Sequence, residues 1–105
     1  MQMSLQDRLV IGAFLPQKDD MLTMIVADQV RKKCRLTEAD FATIAWDASD
    51  PTRPRYNPQV ARETVSEIEL SDSEKTTLRA GLDRLNSKKE ITLEILDTAI
   101  KIKSV

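Results

Sequence analysis

The residues best suited to recognition chemistry crowd into and around one stretch, DPTRPRYNPQVARE, residues 50–63. Arg53 and Arg55 offer guanidinium forks that pair bidentately with phosphate or carboxylate, and Tyr56 offers a ring that stacks on a base. Trp46 precedes the stretch and Asn57 follows the tyrosine. Tryptophan, tyrosine and arginine are the types in which protein interfaces concentrate their binding energy. Trp46, Arg53, Arg55, Tyr56 and Asn57 are therefore the candidate interaction surface. The plainer alternative is that Trp46 closes a core and the arginines partner a strand. A protein is the first partner such a surface suggests, and a small phosphate-bearing ligand the second.

Catalytic chemistry has little to work with. The chain contains no histidine, so it lacks the commonest general base and the commonest metal ligand, and neither a hydrolytic triad nor a zinc site can be written. The carboxylate pairs Asp19 with Asp20 and Asp47 with Asp50 have no glycine-rich loop beside them and no EF-hand register, so loop and cap roles are expected. Two glycines, Gly12 and Gly81, cannot form a phosphate-cradling loop or a dinucleotide fingerprint. The reading is non-enzymatic, with no catalytic residue, no metal site and no cofactor. The single cysteine, Cys34, cannot close an intramolecular disulfide, and its place in a helical pattern predicts a buried thiol in a reducing compartment.

Sixteen basic residues face seventeen acidic ones, a net charge of −1, so no overall field recruits nucleic acid or an anionic membrane. Two helices joined at RLT imitate a helix-turn-helix, which makes a DNA-binding regulator the third reading. Its recognition helix would be EADFATIAW, however, with Glu38 and Asp40 at the end that meets base edges and no Arg, Lys, Asn or Gln to read them. The basic run Arg31, Lys32, Lys33, Arg35 suits a helix C-terminus.

The elements that position these residues follow from caps and periodicity. At 105 residues and 11.9 kDa, 41% hydrophobic and 31% charged, one globular domain spanning 1–105 is expected. Ser4 with Asp7 caps a helix over about 5–14, on which Leu5, Leu9 and Phe14 recur until Pro16. Leu22, Ile25, Val26 and Val30 form the stripe of a second helix over about 20–34. Thr37 with Asp40 is a capping box for a third, 38–45, with Leu36 and Phe41 at hydrophobic-staple spacing. Ser71 with Glu74 opens a fourth, 72–87, carrying Leu78, Leu82 and Leu85. Thr92 opens a fifth, to about Lys103, with Leu93, Leu96 and Ile100 as its apolar face. The apolar run from Leu9 to Leu15 is too short to span a membrane.

Between the third and fourth helices the period changes to two in TVSEIEL, residues 64–70, which predicts a strand. The extended segment 53–57 is its expected partner, because residues 51–62 hold three arginines and no acid while 63–74 hold five acids and no base. Arg53 and Arg55 would then face Glu67 and Glu69. The fold class is helix-rich α+β, about five short helices with one small hairpin. Gly81, inside the fourth helix, marks close packing.

The order FLP, LTMIVADQVRKK, LTEADFATI, the pair Tyr56 and Asn57 with Ala61 after it, then EIELSDSEK and LDRLNSKKEITLEILD, resembles a group of small uncharacterised bacteriophage and prophage proteins. The resemblance implies a phage context in the bacterial cytoplasm and brings no functional residues with it. The function expected is binding of a host or phage partner, with counter-defence a fitting purpose. The alternative is a homo-oligomeric sequesterer of a nucleotide-like ligand; self-association is expected because five amphipathic helices on so short a chain leave apolar stripes without cover.

Overall fold

The computed structural model describes residues 1–50, 52 and 54–105. In chain order these form β1 (Gln2–Ser4), α1 (Leu5–Val10), a 3-10 turn (Ile11–Phe14), α2 (Met21–Cys34), α3 (Glu38–Thr43), α4 (Pro58–Glu63), β2 (Val65–Glu67), α5 (Asp72–Ser87) and α6 (Leu93–Lys103). The architecture is helix-rich α+β with one small antiparallel sheet.

Side-chain caps fix where the helices begin. Reciprocal capping boxes join Ser4 with Asp7 at α1, Thr37 with Asp40 at α3 and Ser71 with Glu74 at α5, each satisfying N–H groups that a helix start leaves unpaired. Asp20 caps α2 by accepting from the Thr23 N–H at 2.7 Å. The first helix is shorter than its periodicity predicts. After Val10 the backbone tightens to the 3-10 turn, and Leu15, held ahead of Pro16, is extended at φ −106°, ψ 143°, as the clash with the proline ring demands.

The strand in the acidic segment is real, but its partner is not the arginine-proline segment. β2 pairs antiparallel with β1, Gln2 opposite Glu67, Met3 opposite Ser66 and Ser4 opposite Val65. Glu67 accepts from the amino group of Met1 at 2.8 Å. The expected hairpin fails because Asn57-Pro58 starts a helix where the second strand would have to continue. Asn57 is the N-cap and Pro58 the first residue of α4, a position where proline's missing N–H costs nothing. Arg55 forms an isolated bridge with Asp47, each backbone N–H donating to the other's carbonyl at 2.8 Å. Arg53, the other arginine of the expected ladder, lies outside the described residues.

Two apolar clusters hold these elements. The larger one centres on Met3, Phe14, Val30, Leu78 and Ile102, between α2, α5, α6 and the 3-10 turn. The smaller one, Leu5, Leu36, Ile44 and Ala61, lies under Phe41, Trp46 and Tyr56. Two expected apolar stripes are corrected. On α2, Val30 is buried while Leu22 and Ile25 are exposed; on α6, the core face is Ile95, Ala99 and Ile102 rather than Leu93, Leu96 and Ile100. Both helices carry apolar residues on two sides, so periodicity alone cannot decide which side turns inward.

Candidate functional site

The structure gathers Trp46, Arg55, Tyr56 and Asn57 of the candidate surface at one edge of the smaller cluster, and it gives most of them local work. The Trp46 and Tyr56 rings stack with centroids 5.8 Å apart at 19°, and Phe41 closes on Trp46 at 5.1 Å and 57°. Tyr56 donates its hydroxyl proton to Gln6 Oε1 at 2.7 Å. Asn57 Oδ1 accepts from the N–H groups of Gln59 and Val60 at 3.1 and 3.2 Å, and its own N–H donates to the Ile44 carbonyl at 2.7 Å. Arg55 is exposed. With the ring face and hydroxyl of Tyr56 both engaged, little of that side chain is free to stack on a base.

The carboxylate pairs have the local roles their composition predicts. Asp19 accepts from the Asp20 N–H at 2.7 Å, Asp47 from the Ser49 N–H at 2.9 Å, and Asp50 from the Thr52 N–H at 3.0 Å. Among the described residues, no group of three or more His, Cys, Asp or Glu side chains is placed to hold a metal ion.

The densest polar cluster is one that sequence reasoning saw only as a cap. Asp7 is buried, and besides the Ser4 N–H at 2.8 Å it accepts from the Thr98 hydroxyl at 2.6 Å and from the Lys101 ammonium. Burial opposes ionisation of Asp7, but the Lys101 ammonium, the Thr98 hydroxyl and the Ser4 N–H outweigh it and hold the carboxyl below its ordinary value. A carboxylate saturated with donors is a poor base. Its work is to tie α1 to α6, beside a cleft of about 300 Å³ lined by Gln6, Arg62 and Asp97 among others. No local motif announces a partner 94 positions away.

Arg8 tethers the end of α2, donating to the carbonyls of Cys34 and Arg35 at 3.1 and 2.6 Å and lying 3.4 Å from the Asp40 carboxylate. The junction of α2 with α3 is thereby tied to α1, and Asp40, at the start of the would-be recognition helix, is engaged on the protein's own cation. Cys34 is buried. Glu74 is buried too, with Oε1 accepting from Lys33 at 2.7 Å and Oε2 without a hydrogen-bond partner.

Exposed apolar side chains form the other notable surface. At the start of α2, Met21, Leu22 and Ile25 are 80%, 72% and 48% exposed, and on α6 Leu93, Leu96 and Ile100 are 90%, 39% and 56% exposed. Neither group is long enough for a membrane: among the described residues no helix is long and apolar enough to cross one. The signal for these surfaces was present in the sequence as a second apolar side on each helix. No family model, no curated protein and no solved structure matches the chain.

Proposed function

We propose that the chain is a non-enzymatic binding protein of a bacteriophage or prophage that acts in the bacterial cell by engaging a protein partner. The observation that carries this reading is the exposed apolar turn Met21, Leu22 and Ile25. Three large apolar side chains on one helical turn are costly to leave in water and mark contact sites. Beside them a groove of about 360 Å³ runs between α2 and α5, lined by Leu22, Thr23, Val26, Asp72, Thr76 and Thr77 among others. Asp19 and Asp20 precede the turn in sequence. An apolar turn with Asp72 in the groove beside it suits a protein segment that brings an apolar anchor flanked by lysine or arginine. The phage context comes from the sequence resemblance, and counter-defence remains a fitting purpose for it.

The aromatic edge supports this surface less well, because Trp46, Tyr56 and Asn57 are engaged within the fold. The nucleotide-sequestering reading rests on the exposed Arg55, with Arg53 outside the described residues. For duplex DNA, the acidic start of α3 is repulsive.

The test is affinity capture from bacterial lysate with the wild-type chain, a Met21→Glu, Leu22→Glu variant and an Arg55→Ala variant, reading both proteins and extractable small molecules by mass spectrometry. A protein retained by the wild type and by Arg55→Ala but lost by the α2 variant is the expected result. Retention of the same protein by the α2 variant, or of a nucleotide alone, overturns the proposal.

A further inference from the structure

Arg31 and Arg35 close α2, yet the helix end already has its cation. The carbonyls of Cys34 and Arg35 accept from the Arg8 guanidinium at 3.1 and 2.6 Å, which satisfies the last turn and complements its dipole. The basic run also divides by partner. Lys32 pairs with Asp28 at 2.8 Å and Lys33 with Glu74 at 2.7 Å, whereas among the described residues no carboxylate stands within ion-pair distance of Arg31 or Arg35. Asp28, which feels both arginines at longer range, is held by Lys32, and Asp40 lies 3.4 Å from Arg8. Both arginines are exposed.

These two guanidiniums border a groove of about 460 Å³ where α1, the 3-10 turn and the junction of α2 with α3 meet. Leu9, Ile11, Leu36 and Phe41 line it, Leu9 and Phe41 only half-buried. Among the described residues no Ser, Thr, Asn, Gln, Asp or Glu lines it, so apart from the buried Cys34 thiol its side chains offer apolar contact and guanidinium donors. That combination selects the occupant. A nucleotide would set the polar edge of its base against apolar side chains that cannot pair with it, and a bare phosphate would leave the apolar floor uncovered. An apolar side chain flanked by carboxylates meets both demands, covering the floor while the carboxylates take the guanidinium forks. We propose that this groove binds an acidic protein segment, an apolar residue between aspartates or glutamates, held by Arg31 and Arg35. It lies on a different flank of α2 from the groove shared with α5 and prefers the opposite charge, so the inference stands or falls separately from the partner site at the start of that helix.

Titration calorimetry with three unlabelled peptides tests it, with circular dichroism confirming that each variant is folded. The first peptide places leucine and phenylalanine between pairs of glutamates, the second replaces the apolar pair by glycines, and the third replaces the glutamates by lysines. The wild type is expected to bind the first about tenfold or more tightly than either control, since each control lacks half of what the groove recognises, and to bind it less tightly as salt rises. Arg31→Gln with Arg35→Gln weakens that binding about tenfold or more. Arg31→Glu with Arg35→Glu turns the preference toward the lysine peptide, an exchange that a purely structural pair of arginines would not give, and Leu22→Glu changes nothing. Absence of binding to the first peptide up to about 1 mM, equal binding of the glycine peptide, a charge-reversed variant that still prefers glutamate, or tighter binding of a nucleoside diphosphate than of the peptide would each overturn the inference.

Discussion

Gly81 rests against the backbone of Phe14: a β-carbon at Gly81 would stand 1.8 Å from the Phe14 carbonyl oxygen and 2.6 Å from its carbonyl carbon. The absent side chain is what lets α5 cross the 3-10 turn at contact distance. In an open helix, alanine for glycine stabilises by about 1 kcal/mol. At this crossing the sign reverses. Gly81→Ala is expected to destabilise by about 3 kcal/mol, since rigid backbone must move to admit the methyl group. Gly12, with nothing within 4 Å of a built β-carbon, is the control: Gly12→Ala should be neutral or mildly stabilising. Urea denaturation of the two variants decides it, and equal effects contradict the packing argument.

Asp7 makes stability depend on acid. Its carboxyl is held below the ordinary 3.8 in the folded protein, so the ionised form favours the fold. The contribution is full above the ordinary value and is lost as pH falls through the folded one. Asp7→Asn should cost about 1–3 kcal/mol at neutral pH, the range for leaving a buried hydrogen-bonding group unsatisfied, because Lys101 is part-exposed and can turn to water, and should flatten the stability curve below pH 3.8. Glu74, also held low although burial opposes it, by Lys33 and Ser71, preserves part of the slope. Parallel curves for the wild type and the variant would contradict the role given to Asp7.

Tyr56 separates hydrogen bonding from stacking. Tyr56→Phe keeps the ring against Trp46 and removes the hydroxyl's bond to Gln6, with an expected loss of about 1 kcal/mol. Tyr56→Ala removes both and should cost more. Trp46 is the only tryptophan, so its emission reports the loosening directly, and the phenylalanine variant should leave that emission close to wild type.

The Cys34 thiol is pushed up to about 11 by burial. At pH 8 it should therefore react with a thiol reagent only as fast as the protein opens, and at the free-thiol rate in denaturant. Rapid labelling of the native protein would contradict the buried placement.

What the sequence made legible was local. Ser4, Thr37 and Ser71 each stand three residues before an acid, and all three pairs form the reciprocal caps that spacing implies. Leu36 and Phe41, the expected staple pair, both belong to the smaller cluster. Thr92 shows the limit: it stands at the N-cap of α6 but makes no side-chain capping bond. What failed was non-local. The alternation around Val65 identifies a strand without saying which segment supplies its ladder, and the opposite charges of 51–62 and 63–74 favoured the neighbour over β1. A cue against that choice was visible in Asn57-Pro58, a cap followed by the residue most suited to a first helical position. Of the candidate surface, the proximity of Trp46 to Tyr56 was legible; the hydroxyl's partner Gln6, 50 positions away, was not.

The tie between Asp7 and α6 also sets an order on how the molecule is made. Translation delivers Ser4 and Asp7 almost at once, so their capping box can close within the first turn. The carboxylate's other donors, Thr98 and Lys101, follow 91 and 94 positions later. Until then, burying Asp7 would strand a charge in an apolar interior, a cost no early intermediate can carry. The first helix is then expected to stay wet until Thr98 and Lys101 have emerged, with Leu5 and Met3 exposed to whatever chaperones attend the ribosome. Closure over so long a loop is slow as well as late. A ribosome stalled before Thr98 would hold a chain with its capping boxes available but its first helix undocked, a good substrate for a protease at a point where the finished protein is not.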